Sequence, residues 1–266
     1  MARLEMSPRC DYNRRMEIYD QYAQVYDDSG QIAFSLKMVP YLDELLQLHQ
    51  PPGRSMLDLA CGTGTVACSF AVQGWETYAI DRSSGMLSEA RAKALQTGQD
   101  IAFSQQDMRD FALPRPVDLI TCLYDSLNYL LSPDELRKTF CCIHNTLTPG
   151  GVFIGDTNTQ ITLEEIWGNN TFFVESPDVA VVLRSSFEKL TGISGVDIIG
   201  FVRQPDGRYA RFQEHHLETA QDKDEIRRLL EGAGLVVEAV YECFTLKPVN
   251  PKTRRILWVA RKPEKP

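Results

Sequence analysis

The sequence predicts a doubly wound α/β fold, a seven-stranded, mostly parallel sheet carrying an antiparallel β insertion, and three observations support that class. From Met56 to Asp156, short apolar runs alternate with helical stripes, the pattern of βαβ units that build a parallel sheet. The run Met56-Leu57-Asp58-Leu59-Ala60 passes directly into Cys61-Gly62-Thr63-Gly64, so a buried strand turns sharply into a helix opening at Thr65. Between Thr171 and Leu217 the strand-like period continues without intervening helices, which a plain doubly wound sheet does not require.

Residues 1–13 read as disordered, and Arg14 to Asp28 carries Met16, Tyr19, Ala23 and Tyr26 at three- and four-residue steps, a helical stripe. A second helix, about Phe34 to His49, places Leu36, Val39, Leu42, Leu45 and Leu46 on one face and stops at Pro51-Pro52-Gly53. After the glycine turn come a short helix, Thr65 to Gln73, and a second strand, Thr77 to Ile80, ending at Asp81. The next helix runs from about Ser84 to Leu95, and Ile101-Ala102-Phe103 makes a third strand with Asp107 beyond its tip. Val117 to Cys122 is the fourth strand; it delivers Leu123 to Leu130 to the carboxyl edge, where open α/β sheets bind ligands. Ser132 N-caps a helix reaching Leu147, with Pro133 at its first position and Glu135 completing a capping box. Thr148 to Gly151 turns into the fifth strand, Val152 to Asp156. The insertion includes strands at Val179 to Leu183, Asp197 to Val202 and Tyr209 to Phe212, with a hairpin turn at Gln204-Pro205-Asp206-Gly207. Asp222 caps a last helix, and strands at Leu235 to Phe244 and Arg255 to Ala260 follow.

At 266 residues and 43% hydrophobic, the chain can bury one substantial core, which predicts one domain with a modest insertion. The formal charge of −8 argues against a phosphate-neutralising surface, so no nucleic-acid partner is expected. No apolar run approaches a membrane span and Met1 to Pro8 lacks the core of a signal peptide, which predicts a cytoplasmic protein without a membrane partner. Seven cysteines without a C-x-x-C pair fit reduced thiols, and no metal-ligand spacing is present. A monomer or a homodimer is expected.

The glycine turn suits a nucleoside-type cofactor. Gly62 to Ala67 satisfies the spacing of a dinucleotide turn, with Asp81 at nearly the expected distance. Charge separates the candidates, because a carboxylate at Asp58 repels a pyrophosphate and attracts the ammonium and sulfonium of S-adenosyl-L-methionine (SAM). Asp81, at a strand tip, can accept both ribose hydroxyls of an adenosine in either cofactor.

With these residues in view, the chain resembles the class I SAM-dependent methyltransferases, Rossmann-like enzymes whose first motif, Asp-x-x-x-Gly-x-Gly, is matched by Asp58, Gly62 and Gly64. Ile80 to Leu87 resembles the second motif, and the run Asp125-Ser126-Leu127-Asn128-Tyr129-Leu130 resembles the YqeM-like branch and, more distantly, the amino-sugar N-methyltransferases. The resemblance implies that Met86 packs on adenine, Asp107 accepts the adenine amine and the backbone of Met108 meets the ring edge. It further implies that Ala60 and Leu123 border the cofactor and that an N-terminal Tyr26-Asp27 pair closes the pocket. Tyr124 and Asn128 are then expected at the methyl acceptor. Residues 1–158 and 217–266 would form the SAM-binding domain with N-terminal capping helices, and 159–216 an antiparallel lid binding the acceptor.

The predicted reaction is methyl transfer from SAM to nitrogen or oxygen of a small molecule, which needs alignment and desolvation more than acid/base chemistry. A hydroxyl acceptor would want a base, for which Asp125, His215 and His216 are the candidates. Alternation along a strand lets only one of the two histidines face a pocket. The rival readings are a methyltransferase of RNA or protein, a nicotinamide-dependent oxidoreductase and a non-enzymatic SAM-binding module.

Overall fold

The computed structural model describes residues 18–264. Its strands in chain order are β1 (Ser55–Leu59), β2 (Glu76–Asp81), β3 (Ala102–Gln105), β4 (Val117–Cys122), β5 (Leu147–Asn158), β6 (Thr171–Glu175), β7 (Val179–Glu188), β8 (Ile193–Arg203), β9 (Tyr209–Thr219), β10 (Val236–Glu242) and β11 (Arg255–Arg261). The helices are α1 (Ala23–Tyr26), α2 (Ile32–Leu48), α3 (Thr65–Val72), α4 (Ser84–Thr97), α5 (Pro133–Thr146) and α6 (Lys223–Gly232). One seven-stranded sheet has the order β10-β11-β5-β4-β1-β2-β3, and a second, four-stranded sheet has the order β6-β7-β8-β9. In the first sheet β1 to β5 pair in parallel, while β11 runs antiparallel to both β5 and β10. The order reverses between β1 and β4, which opens a crevice at their carboxyl ends.

Alternating side chains give the large sheet two cores. Leu57, Leu59, Ile120 and Phe153 point to one face and pack under Phe140 of α5 and Leu230 of α6. Met56, Leu119, Val152 and Ile154 point to the other and meet Leu42 and Leu45 of α2 and Phe70 of α3. With both faces covered, the strands carry near-continuous apolar runs. The second sheet alternates more plainly. Val179, Val181 and Leu183 of β7, with Val196 and Ile198 of β8, are buried against Tyr22 and Val25 of the N-terminal segment.

The chain departs from the sequence-based expectation in four places. Within the described part of Arg14 to Asp28, only α1 is helical; Arg14 to Glu17 lie outside the described residues. Residues 18–22 form turns instead, with Tyr19 at φ 69°, because the N–H groups of Tyr19, Gln21 and Tyr22 all donate to the Glu214 carboxylate. Strand β5 begins at Leu147 and not at Val152: Val117 pairs with Leu147 and Leu119 with Val152, so Thr148 to Gly151 form an excursion between them. Ser132 caps α5 as expected, accepting from the Glu135 N–H, but the Glu135 carboxylate reaches back to the Ser132 hydroxyl and to Arg109 instead of to the Ser132 backbone N–H of a capping box. The insertion's last strand runs past residue 216 to Thr219. Among the described residues, no helix is long and apolar enough to cross a membrane.

Candidate functional site

A cleft of about 1060 Å³, partly open to solvent, lies across the carboxyl ends of β1, β2 and β4. Its floor is the turn after β1. Ala60, Gly62 and Gly64 take φ values of 58°, 54° and 74°, a left-handed path that the two glycines follow at no steric cost and that Ala60 adopts against its Cβ. Gly64 is further constrained, since a Cβ there would lie 2.9 Å from the Cβ of Ala90 in α4. It is therefore the point of contact between turn and helix and does not itself line the cleft.

Each strand-tip carboxylate is held differently. Asp58 is 3% exposed and accepts from the Thr121 hydroxyl at 2.8 Å and the Ala67 N–H at 3.2 Å. Burial outweighs those bonds and pushes its carboxyl up to about 7. Asp81 accepts from the N–H groups of Gly62 (2.9 Å) and Ser83 (2.8 Å), tying β2 to the glycine turn. Burial raises it too, against the pull of those two bonds. Asp107 is bound by its neighbour Arg109 through the backbone N–H and the Nε and Nη2 groups along one edge of the guanidinium, and these bonds hold it below the ordinary carboxylate range despite partial burial. Arg109 was not foreseen as part of this wall; its position two residues after a strand-tip acid was the available signal.

Of the residues expected at the cofactor, Tyr26, Asp58, Ala60, Gly62 and Asp81 line the cleft, as do Met86, Asp107, Met108 and Leu123. Tyr124 lines it as well, stacked on Phe34 with centroids 4.1 Å apart. Asn128, Asp125, His215 and His216 do not line it. The Asn128 amide donates to the carbonyls of Asn158 and Thr219 and accepts from the Asn158 N–H, so it joins β5 to β9 and has no donor left for an acceptor molecule. Asp125 is buried against Arg255 at 2.9 Å and the Asn158 amide at 2.7 Å, which places its carboxylate behind the wall instead of on it. Burial, opposed by Arg255, raises it to about 6. The pair Tyr124 and Asp125, at φ 56° and 55°, is a strained segment held in place by those partners. His215 faces away and pairs with Asp197. His216 is buried between Glu214 and Tyr129, one step behind the cleft.

The N-terminal segment forms the roof as a strap. Asp20 accepts from Ser83, Ser84 and the Gly85 N–H at the start of α4, while Asp27 accepts from Thr63 and from Lys93, which also donates to Thr65. Tyr19 and Tyr26 hang from it into the cleft, opposite Tyr129. Among the described residues, no group of three His, Cys, Asp or Glu side chains is arranged to hold a metal ion.

A doubly wound sheet with a reversed final hairpin, and a glycine turn flanked by acids on three successive strand tips, define a fold built around a nucleoside cofactor bearing positive charge. A methyltransferase-domain family matches residues 56–151. The S-adenosylmethionine-dependent methyltransferase of Clostridium acetobutylicum ATCC 824 is 31% identical, with a TM-score of 0.81 over 93% of this chain and 100% of that one. The YqeM protein of Bacillus subtilis (strain 168) is 29% identical over 248 residues, 92% of this chain and 97% of its own. The dTDP-3-amino-3,4,6-trideoxy-alpha-D-glucopyranose N,N-dimethyltransferase of Streptomyces venezuelae is 29% identical over 203 residues, 73% of this chain and 81% of its own. The chain belongs to the SAM-dependent methyltransferases, and its cofactor is SAM.

Proposed function

We propose that the protein transfers the methyl group of SAM to a nitrogen or oxygen of a small molecule bound at the tyrosine end of the cleft, with an amino nitrogen favoured. SAM supplies an electrophilic methyl group on a sulfonium. Asp81 would accept the ribose hydroxyls, Asp107 and the Met108 backbone would meet the adenine edge, Met86 would pack on the ring, and Asp58 would face the cationic amino acid end. The acids fit this group, since a buried carboxylate raised by desolvation is stabilised when a cation arrives beside it. The same carboxylate disfavours the pyrophosphate of a nicotinamide cofactor.

The observation that carries the acceptor assignment is the composition of the far wall. Tyr19, Tyr26 and Tyr129 line the cleft there, an aromatic wall that shields a small polar molecule from water and leaves lone pairs on the Tyr19 hydroxyl to orient it. The nitrogen preference draws on the relatives named for amino sugars. The second sheet serves this end indirectly, by backing the strap. Incubating the protein with methyl-labelled SAM and a metabolite extract, followed by mass analysis, is expected to yield a labelled small molecule. Label found only in protein or RNA would overturn the acceptor class, and no transfer to any fraction would favour a SAM-binding module.

A further inference from the structure

Four side chains from three parts of the chain form one hydrogen-bonded path that starts in the cleft and ends in the core. Tyr19 Oη lies 2.6 Å from Tyr129 Oη, Tyr129 Oη lies 3.0 Å from His216 Nδ1, and His216 Nε2 lies 2.8 Å from Glu214 Oε2. Tyr19 and Tyr129 line the cleft, while the imidazole and carboxylate behind them have side chains only 1% and 5% exposed.

The polarity of this path follows from its buried end. The Glu214 carboxylate accepts from the N–H groups of Tyr19 (2.7 Å), Gln21 (2.8 Å) and Tyr22 (3.0 Å), a concave set of main-chain donors created where Tyr19 takes its left-handed turn. Burial alone would raise this carboxyl; the bonds from His216 and the three N–H groups outweigh it and leave it below the ordinary glutamate range. An ionised carboxylate can only accept, so His216 Nε2 carries the ring proton and Nδ1 of the neutral ring is an acceptor. Tyr129 has one proton, committed to Nδ1. Tyr19 must then donate to Tyr129. What Tyr19 Oη still offers the cleft is its lone pairs, a place for a group that gives a proton.

We propose that Tyr19, Tyr129, His216 and Glu214 form a proton relay that takes up the proton released by the methylated group. The proposal rests on the reading above that a nitrogen or oxygen acceptor occupies the tyrosine end of the cleft. The acceptor lone pair forms the new bond to the methyl carbon as the carbon–sulfur bond breaks and its electron pair stays on sulfur. The proton now in excess on the acceptor passes to Tyr19 Oη, the Tyr19 proton to Tyr129, and the Tyr129 proton to His216 Nδ1. The imidazolium is held between Tyr129 and Glu214, and the proton returns along the same path to solvent after the product leaves. Tyr19 is the catalytic residue of this set; Tyr129, His216 and Glu214 act through it. The groups facing the path are Glu214 on β9, Tyr129 on the turn after β4, Tyr19, Tyr22 and Tyr26 on the strap, and Asp125 and Glu218, whose carboxyl groups, both raised by burial, act on both cleft tyrosines when ionised. Burial first, then these charges, keeps both hydroxyls far above the ordinary tyrosine range, so they carry protons without standing as anions.

The full chain, labelled with ¹⁵N-histidine and saturated with S-adenosylhomocysteine, tests the path without knowledge of the acceptor. Neutral His216 is expected to carry its proton on Nε2, and Tyr129→Phe should shift the Nδ1 resonance. A proton resting on Nδ1 would reverse the path and overturn the relay, as would an Nδ1 resonance that ignores Tyr129→Phe. Glu214 also holds the strap, so His216→Gln serves as the kinetic variant. With the acceptor found by methyl labelling, it should lower turnover about ten- to a hundredfold, least at acid pH, where a protonated imidazole has no lone pair to accept with, and leave SAM affinity within twofold. Unchanged turnover would overturn the relay. Absence of methylation by the wild type, with the histidine oriented as expected, would instead overturn the acceptor assignment.

Discussion

At the scale of single residues, Asp58 links cofactor binding to pH. Its folded pKa, about 7, is raised above that of an unfolded aspartate, so the free protein gains stability from the bound proton at acid pH and loses it as the pH rises through 7. A cation placed against this carboxylate reverses the preference and expels the proton. SAM affinity is therefore expected to rise roughly thirtyfold between pH 5.5 and 8, because below about pH 7 the ionised carboxylate becomes roughly ten times scarcer with each step of one in pH. Calorimetry in buffers of different ionisation enthalpy should detect the released proton, and Asp58→Asn should abolish both effects; a flat pH profile in the wild type would place the cation elsewhere. Asp81 carries a different burden, because its carboxylate organises the glycine turn through Gly62 as well as facing the ribose site. Asp81→Ala should weaken SAM by on the order of 1.5–3 kcal/mol, the range for a hydrogen bond to a charged group. Asp206, on the exposed hairpin tip, is the fitting control and should change nothing. Asp118 would be a poor one, since it anchors Ser55 and Thr148.

Among the elements, the parts read correctly from sequence are those whose determinants are local. The strand into the glycine turn, the acids at the strand tips and the hairpin at Gln204 to Gly207 depend on residues within one or two turns of chain. The strap does not. Its conformation is set by Glu214, 193 residues from Gln21, which captures N–H groups that a helix would have used. Asp125 and Asn128 fall behind the wall for a similar reason, since Arg255, Asn158 and Thr219 claim them from distant strands. A prediction belongs to the contact between strap and α4. Gly85 sits in the first turn of that helix, where alanine has the better intrinsic propensity by about 1 kcal/mol. A Cβ there would lie 2.6 Å from the Asp20 carbonyl oxygen and 3.0 Å from its Cα, and backbone cannot rotate away. Gly85→Ala is expected to lift the strap, speed its proteolysis and weaken SAM about tenfold with little change in melting temperature. Undiminished SAM affinity would show that the strap is no part of the site.

For the whole molecule, the decisive feature is that the cofactor cleft draws on both cores at once. The β1 strand buries Leu57 and Leu59 on one face and Met56 on the other, and its turn is bonded to β2 through Asp81 and to the strap through Thr63. The strap in turn rests on the second sheet, so a ligand gripping turn and roof together binds only when both sheets are folded and docked. Such a ligand stabilises the native state by mass action, about 2.7 kcal/mol at a hundred times its dissociation constant. For a chain of this size that corresponds to a rise of roughly 5–10 °C in melting temperature. S-adenosylhomocysteine in a thermal scan should produce this rise in a single shifted transition. NAD should produce none, because the buried carboxylate of Asp58 opposes a pyrophosphate on the turn. If the transition splits when the ligand is added, with part of the protein melting at the original temperature, the second sheet and strap are not coupled to the cleft, and the large sheet binds the cofactor alone.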